Sequence, residues 1–179
     1  RGKEWSYSYV AIAAAAWARS CTLQTIEPDA AGAVIVRHAN PCGAAVAGDA
    51  FTAIDGAFAG DPVAAFGGIL ACNTTITAEA AERLCADGVF LEVVAAPAFE
   101  PDAVERLRSR WQNLRLLETP PPTASPRLIR LLPGGALVQT PDTLADDTAA
   151  WEHKAGPEIN AETLRAARVI EAVAQALAS

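Results

Sequence analysis

The 179 residues contain no methionine, so the sequence holds no start residue. An initiator methionine is normally removed only before a small residue, and Arg1 is large. At the other end, a helix predicted over residues 161–179 stops without the glycine or asparagine that commonly ends a helix. We therefore expect the chain to be a segment of a longer protein.

The chain also lacks a basic excess, paired cysteines and a long apolar run. Its formal net charge is −7, which argues against a nucleic-acid or membrane-surface binder, because both need a basic face. The longest apolar run, residues 10–18, is far shorter than the roughly 20 residues of a membrane helix. The 4 cysteines form no CxxC pair, which favours a reduced, cytoplasmic protein with thiols in its core.

What is present is an alternation of short apolar strands and helices. Hydrophobic residues make up 51 % of the chain, enough for one domain with a core, and the alternation predicts an α/β fold. The predicted strands are 33–36, 69–72, 91–95 and 114–117. The predicted helices are 8–20, 43–59 (with Asp49 as a cap inside it), 77–86, 101–110 and 161–179. A proline-rich loop from residue 119 precedes residues 127–132 and 136–139, which predict a hairpin or two edge strands.

The stretch VIVRHANPCG, residues 34–43, contains the first candidate site. Arg37 and His38 directly follow a buried strand, and ligands of open α/β sheets usually bind beyond the carboxyl ends of strands. A histidine can move protons near neutral pH, and an adjacent guanidinium can stabilise developing negative charge. Residues 40–43 predict a turn that opens the next helix, whose amides would favour an anion. The alternative interpretation is a structural His38 beside a surface Arg37.

Two other places qualify as parts of a site. Phe66, Gly67 and Gly68 put bare backbone beside an aromatic ring, where a planar ligand can approach the main chain. Alternatively, the glycines only give a tight entry to the strand that follows. Glu92 is a lone carboxylate at the start of an apolar strand, so it needs a partner or a ligand unless it lies at the edge of the sheet.

Residues 38–42 partly match a zinc deaminase motif, H-x-E followed by P-C-x-x-C. Asn40 stands where the motif has its catalytic glutamate, and no second cysteine follows Cys42 at the required spacing. The ligands therefore do not complete a tetrahedral site, and we expect no zinc. A zinc deaminase is kept as a third hypothesis, which stoichiometric bound zinc would support.

Six blocks of sequence resemble one known family in their order and spacing. They are GKEWSYSY, VIVRHANPCGAAV, DPVAAFGGILACN, EVVAAP, PGGALVQTPD and the terminal helix ending in Ala-Ser. Over essentially its whole length, the chain is similar to the first half of the AICAR transformylase domain of bifunctional purine biosynthesis proteins (AICAR transformylase/IMP cyclohydrolase). The resemblance implies a cytidine-deaminase-like three-layer αβα sandwich with a mixed sheet. The domain uses that fold twice, and residues 1–179 would be one copy.

The resemblance also implies the chemistry. The family transfers the formyl group of its cosubstrate, 10-formyltetrahydrofolate, to the amine of AICAR, and a parent protein would also carry IMP cyclohydrolase activity. His38 would accept the proton of the attacking amine, and Arg37, where the family has lysine, would stabilise the tetrahedral oxyanion. The residues that would bind the nucleotide are Phe66, Gly67, Glu92 and Asn40.

The family pattern includes parts that lie outside this sequence: a second half-domain, an upstream R-Y-G-x-N-P-H-Q motif and the cyclohydrolase domain. It also implies a homodimer with shared sites, so we expect the isolated segment to be incomplete and to associate with itself or with its missing half. Four departures favour an alternative, a catalytically silent homologue that binds a nucleotide or acts as an assembly scaffold. They are Arg37, Ala64, Ser8–Tyr9 and the lysine-poor end of the last helix.

Overall fold

The computed structural model describes residues 4–38, 40–122, 127–140 and 151–178. Within these ranges the chain forms five helices and seven strands. In chain order they are α1 (Tyr7–Ile26), β1 (Ala31–Arg37), β2 (Asn40–Ala47), α2 (Ala50–Gly60), β3 (Gly68–Cys72), α3 (Ala78–Leu84), β4 (Leu91–Ala96), α4 (Pro101–Arg110), β5 (Arg115–Glu118), β6 (Leu128–Leu132), β7 (Gly135–Gln139) and α5 (Ala161–Ala178).

Five of the strands form one mixed sheet in the order β2-β1-β3-β4-β5. β1 runs antiparallel to both of its neighbours, whereas β3, β4 and β5 run parallel to one another. Parallel neighbours need a crossover connection, and α3 and α4 supply the two crossovers. The predicted α/β class is therefore confirmed.

Helices cover both faces of this sheet. Successive side chains of a strand point to opposite faces, so each inner strand contributes to two cores. Ile35 and Leu70 pack with residues of α2, α3 and α4, whereas Val34 and Ile69 pack with residues of α1 and α5. Strands buried on both faces have near-continuous apolar sequences, and this pattern in the sequence predicts both β1 and β3.

Residues 40–47 correct one prediction. The sequence pattern predicts a turn at 40–43 that opens a helix at residue 43, but these residues form β2, which pairs with β1 across a bulge between Ile35 and Val36. Local helix propensity is a weak preference that tertiary packing overrides. Here the packing is very close, because a Cβ built on Gly43 would lie 1.9 Å from the carbonyl oxygen of Ala57 in α2. The small residues that suggested a helix let α2 lie directly on this strand.

The helix itself begins later, at Ala50, and Asp49 caps it as predicted. The Asp49 Oδ1 atom accepts a hydrogen bond of 2.8 Å from the Thr52 backbone N–H. This bond is the main reason why the pKa of the Asp49 carboxyl is lowered from its usual value. The stabilisation from this cap is therefore complete above the unfolded-state pKa of the carboxyl and is lost as the pH falls through the lowered folded-state pKa.

A buried asparagine connects α1 to β1 through hydrogen bonds. The Asn73 Oδ1 atom accepts from the Gly32 N–H at 2.8 Å, and its Nδ2 atom donates to the Ser20 carbonyl oxygen at 3.0 Å. Because both polar groups of this side chain are satisfied, it can be buried without a large desolvation penalty. Neither α1 nor any other helix in the described ranges combines the length and apolar content needed to cross a membrane.

The predicted hairpin is confirmed as β6 and β7, an antiparallel pair with Gly134 in its turn at a φ of +84°. Several of its apolar side chains lie at the surface, with Leu131 84 % exposed and Ile129 62 % exposed. Leu132, Leu137 and Val138 are exposed as well. A two-stranded sheet is marginally stable by itself in water, and strands of this kind usually bury their apolar side chains against another element. In the part of the chain that the structure describes, these five side chains stay exposed.

Candidate active site

A cleft of about 370 Å³ lies where the end of β1 meets the starts of β3 and β4. Because β1 is antiparallel to β3, its carboxyl end lies beside the amino ends of the parallel strands. The tendency of ligands to bind beyond the carboxyl ends of strands therefore applies to β1 alone. The expectation that a helix begins at residue 43 and points its N-terminus at this site is wrong, because residues 40–47 form β2. Five of the six predicted site residues line the cleft: Arg37, His38, Phe66, Gly67 and Glu92.

His38 follows the last residue of β1 and has an unusual backbone conformation. Its φ is +51°, and it is the only non-glycine residue with a positive φ in the described part of the chain. Such a conformation costs on the order of 1–3 kcal/mol and is concentrated at functional sites. The side chain is exposed, and no described residue forms a hydrogen bond or an ion pair with the imidazole. The ring is therefore available to a ligand.

Arg37 ends β1 and is exposed like His38. Its guanidinium forms no salt bridge with any residue in the described ranges, so its charge is available in the cleft. Both residues also line a second hollow of about 530 Å³, which includes Asn40, Asp61 and Ala64. Asn40, the sixth predicted site residue, thus lies in a different hollow from Phe66 and Glu92.

The Phe66–Gly67 segment forms one wall of the cleft. Phe66 is 52 % exposed, and its ring contacts that of Phe90, with 5.3 Å between ring centroids and 42° between ring planes. An exposed aromatic face of this kind can stack on a planar ligand. The Gly67 N–H already donates to the Phe90 carbonyl oxygen at 2.8 Å. A backbone contact from Gly67 to a ligand therefore has to use its carbonyl oxygen.

Glu92 has the partner that its position in an apolar strand requires. β4 lies inside the sheet, and the Glu92 Oε2 atom accepts a hydrogen bond of 3.0 Å from Arg115 Nη1 on the neighbouring strand β5. The interpretation of Glu92 as a residue of an edge strand is therefore wrong. Arg115 is not among the residues predicted for the site, although a cation in the apolar run 114–117 is a usable signal.

All four cysteines are free thiols. Burial raises the pKa of each one above the usual thiol value, and that of Cys21 to about 11. Protonated thiols are weak nucleophiles and weak metal ligands. In the ranges that the structure describes, no three residues of the His, Cys, Asp and Glu types are grouped so as to hold a metal ion.

Comparison with known proteins places the chain in a family. A family model described as "AICARFT/IMPCHase bienzyme" matches residues 1–179. The chain belongs to this family. The resemblance that the six sequence blocks indicated is thereby confirmed.

Two similar proteins show how much of the chain is matched. The bifunctional purine biosynthesis protein PurH of Neisseria gonorrhoeae (strain NCCP11945) is 43 % identical over 143 residues, which cover 79 % of this chain and 26 % of that protein. The PurH protein of Chloroflexus aurantiacus is 39 % identical over 178 residues, covering 96 % of this chain and 34 % of that protein. The chain thus spans only about a quarter to a third of the curated relatives' length.

Proposed function

We propose that the chain is the first half of an AICAR transformylase domain with a cytidine-deaminase-like fold. In this proposal, its parent transfers the formyl group of 10-formyltetrahydrofolate to the amine of AICAR and also carries IMP cyclohydrolase activity. The observation that supports it is the composition of one cleft. A guanidinium and an imidazole without protein partners among the described residues face an exposed aromatic ring and a carboxylate held by an arginine. These are the groups needed to orient a planar nucleotide base and to move a proton.

In the proposed reaction, the amine nitrogen of AICAR attacks the formyl carbon and a C–N bond forms. His38 accepts a proton from this amine, which is a weak nucleophile because its lone pair is delocalised into the imidazole ring of the substrate. Arg37 stabilises the negative charge on the formyl oxygen of the tetrahedral intermediate. The bond to the folate nitrogen then breaks, and that nitrogen leaves with a proton that His38 returns.

Arg37 provides a direct test of the charge role. In the full-length parent, we expect Arg37→Ala to lower turnover by roughly 10²–10³-fold, the usual effect of removing one oxyanion-stabilising donor. Arg37→Lys restores the family's residue and keeps the charge, so turnover should be maintained or increased. A formyl-transfer assay with purified parent protein measures both. Equal turnover for Arg37→Ala and the wild type would remove Arg37 from the mechanism.

The alternative, a silent homologue that binds a nucleotide or acts as a scaffold, is supported by Arg37 and Ala64, which depart from the family's residues. The gene of the parent distinguishes the two hypotheses. A downstream second half-domain and an upstream R-Y-G-x-N-P-H-Q motif would favour the enzyme, and their absence would favour the scaffold. The cytoplasmic location stays a prediction.

We further propose that the parent is a homodimer and that its second half-domain or its partner subunit covers the exposed β6–β7 surface. The isolated segment should then associate. By light scattering, we expect residues 1–179 to give at least twice the monomer mass of 18.6 kDa. Leu131→Lys, which places a charge on the apolar hairpin, should shift the population towards monomer.

Val63→Lys is the matched control for that experiment, because Val63 is 83 % exposed and Leu131 is 84 % exposed, but Val63 lies outside the hairpin. This variant adds the same charge and should leave association unchanged. A wild-type segment that is monomeric at all concentrations tested and exposes no apolar patch would contradict the proposal. The same conclusion would follow if both variants reduced association equally.

A further inference from the structure

Arg115 is the only arginine in the described ranges that is almost fully buried, with 2 % of its surface exposed. Its side chain lies between the start of β4 and the segment before α1. Nη1 donates to the Glu92 carboxylate at 3.0 Å, while Nη2 and Nε donate to the Glu4 carbonyl oxygen at 2.7 and 3.1 Å. A buried cation is tolerated only when it is paired and hydrogen-bonded in this way.

An aromatic ring completes the surroundings of this guanidinium. Its central carbon lies 4.3 Å from the centroid of the Tyr9 ring, within the range of a cation–π interaction. The Glu4 carbonyl and the Tyr9 ring thus fix the guanidinium plane. The fixed Arg115 guanidinium in turn orients the Glu92 carboxylate through its hydrogen bond. A lysine cannot reproduce this arrangement, because its ammonium lacks the planar fork of donors.

One carboxylate oxygen of Glu92 accepts no hydrogen bond from the described residues and can bind a ligand in the cleft. Oε2 is bound by Arg115, whereas no described residue donates to Oε1. The Glu92 side chain is 25 % exposed and lines the same cleft as Phe66 and His38. An ionised carboxylate accepts hydrogen bonds only, so Oε1 fits an N–H or O–H donor on a ligand.

We infer that Arg115 is a positioning residue that acts through Glu92, holding its free oxygen where a ligand donor meets it. The inference rests on the proposed function, since it takes AICAR as the ligand of this cleft. In this role Arg115 strengthens the binding of AICAR and takes no part in the chemical step. Loss of Arg115 should therefore weaken AICAR binding only while Glu92 is present as a carboxylate.

The experiment is a double-mutant cycle in the full-length parent, with AICAR affinity measured by titration calorimetry and formyl transfer measured separately. We expect Glu92→Gln to raise the Kd for AICAR roughly 10–100-fold, the usual effect of losing a hydrogen bond to a charged group. Arg115→Met should raise it by a similar factor, with kcat changed much less. In the Glu92→Gln background, Arg115→Met should have little further effect, because the two residues act as a unit.

Arg115→Lys keeps the cation and is included because Arg115→Met leaves Glu92 without a partner and can fail to fold. It should still raise the Kd at least about threefold, because the fork geometry is lost. Arg83→Lys is the matched control: Arg83 also pairs with a carboxylate, Asp55, and lies over an aromatic ring, that of Phe58, yet it does not line the cleft. This control should leave the Kd unchanged.

The outcomes separate the inference from the proposed function. An unchanged Kd for Arg115→Lys, or equal losses from Arg115→Met in both backgrounds, would overturn the inference while formyl transfer by the wild type stands. Coupled losses of AICAR affinity in a parent without formyl transfer would support the inference and overturn the proposed activity. A parent that does not bind AICAR would overturn both.

Discussion

His38→Ala in the full-length parent is expected to lower the turnover of formyl transfer by roughly 10²–10⁴-fold, the usual contribution of one general base. AICAR affinity should change much less, because a group that acts mainly in the transition state adds little to ground-state binding. The structure supports this separation, since the exposed imidazole has no hydrogen-bond partner among the described residues. Steady-state kinetics together with a Kd for AICAR measure both effects.

His38→Gly is the second variant in this test. At a φ of +51°, glycine relieves the backbone strain that a side chain imposes, so the melting temperature should be maintained or raised while activity is lost. The structural interpretation of His38 predicts the opposite: a lower melting temperature, with specific activity preserved in the folded molecules. That pattern would remove His38 from the mechanism and leave the family assignment intact.

Gly43→Ala should cause the largest loss of stability among single substitutions in β2. Its Cβ would lie 1.9 Å from the carbonyl oxygen of Ala57, and a backbone atom of α2 cannot rotate away as a flexible side chain can. α2 would have to separate from β2, so we expect the free energy of unfolding to fall by about 3 kcal/mol or more. For a domain of this size, that corresponds to a drop of roughly 6–12 °C in melting temperature.

Gly48→Ala is the control for this substitution. Gly48 lies just after the same strand, but no heavy atom lies within 4 Å of the position that a Cβ would take, and its φ is not in the left-handed region. Thermal unfolding of the parent, followed by circular dichroism, should show a transition close to that of the wild type. Similar melting temperatures for Gly43→Ala and Gly48→Ala would mean that the close contact between β2 and α2 does not exist in solution.

Much of the fold could be predicted from the sequence, because the signals that carry it are local. The strands predicted at 33–36, 69–72 and 91–95 are confirmed within two residues at each end, and α4 begins and ends where predicted. Capping by Asp49 was predicted from the residue type and its position. The blocks around Arg37, Phe66 and Glu92 also indicate the family from their residues and spacing alone. These signals depend on residues that are near one another in the chain.

The tertiary structure decided what depends on distant residues. Residues 40–47 form a strand because β1 offers an unpaired edge and α2 packs on their small side chains, and neither partner can be identified from their own composition. The antiparallel direction of β1, which puts His38 at the amino ends of β3 and β4, is likewise a property of the sheet. The Arg115–Glu92 pair joins residues 23 positions apart. The sequence by itself determined most local elements and the family, because both depend on residues near one another in the chain, whereas strand pairing and helix packing determined which of the predicted site residues share a cleft.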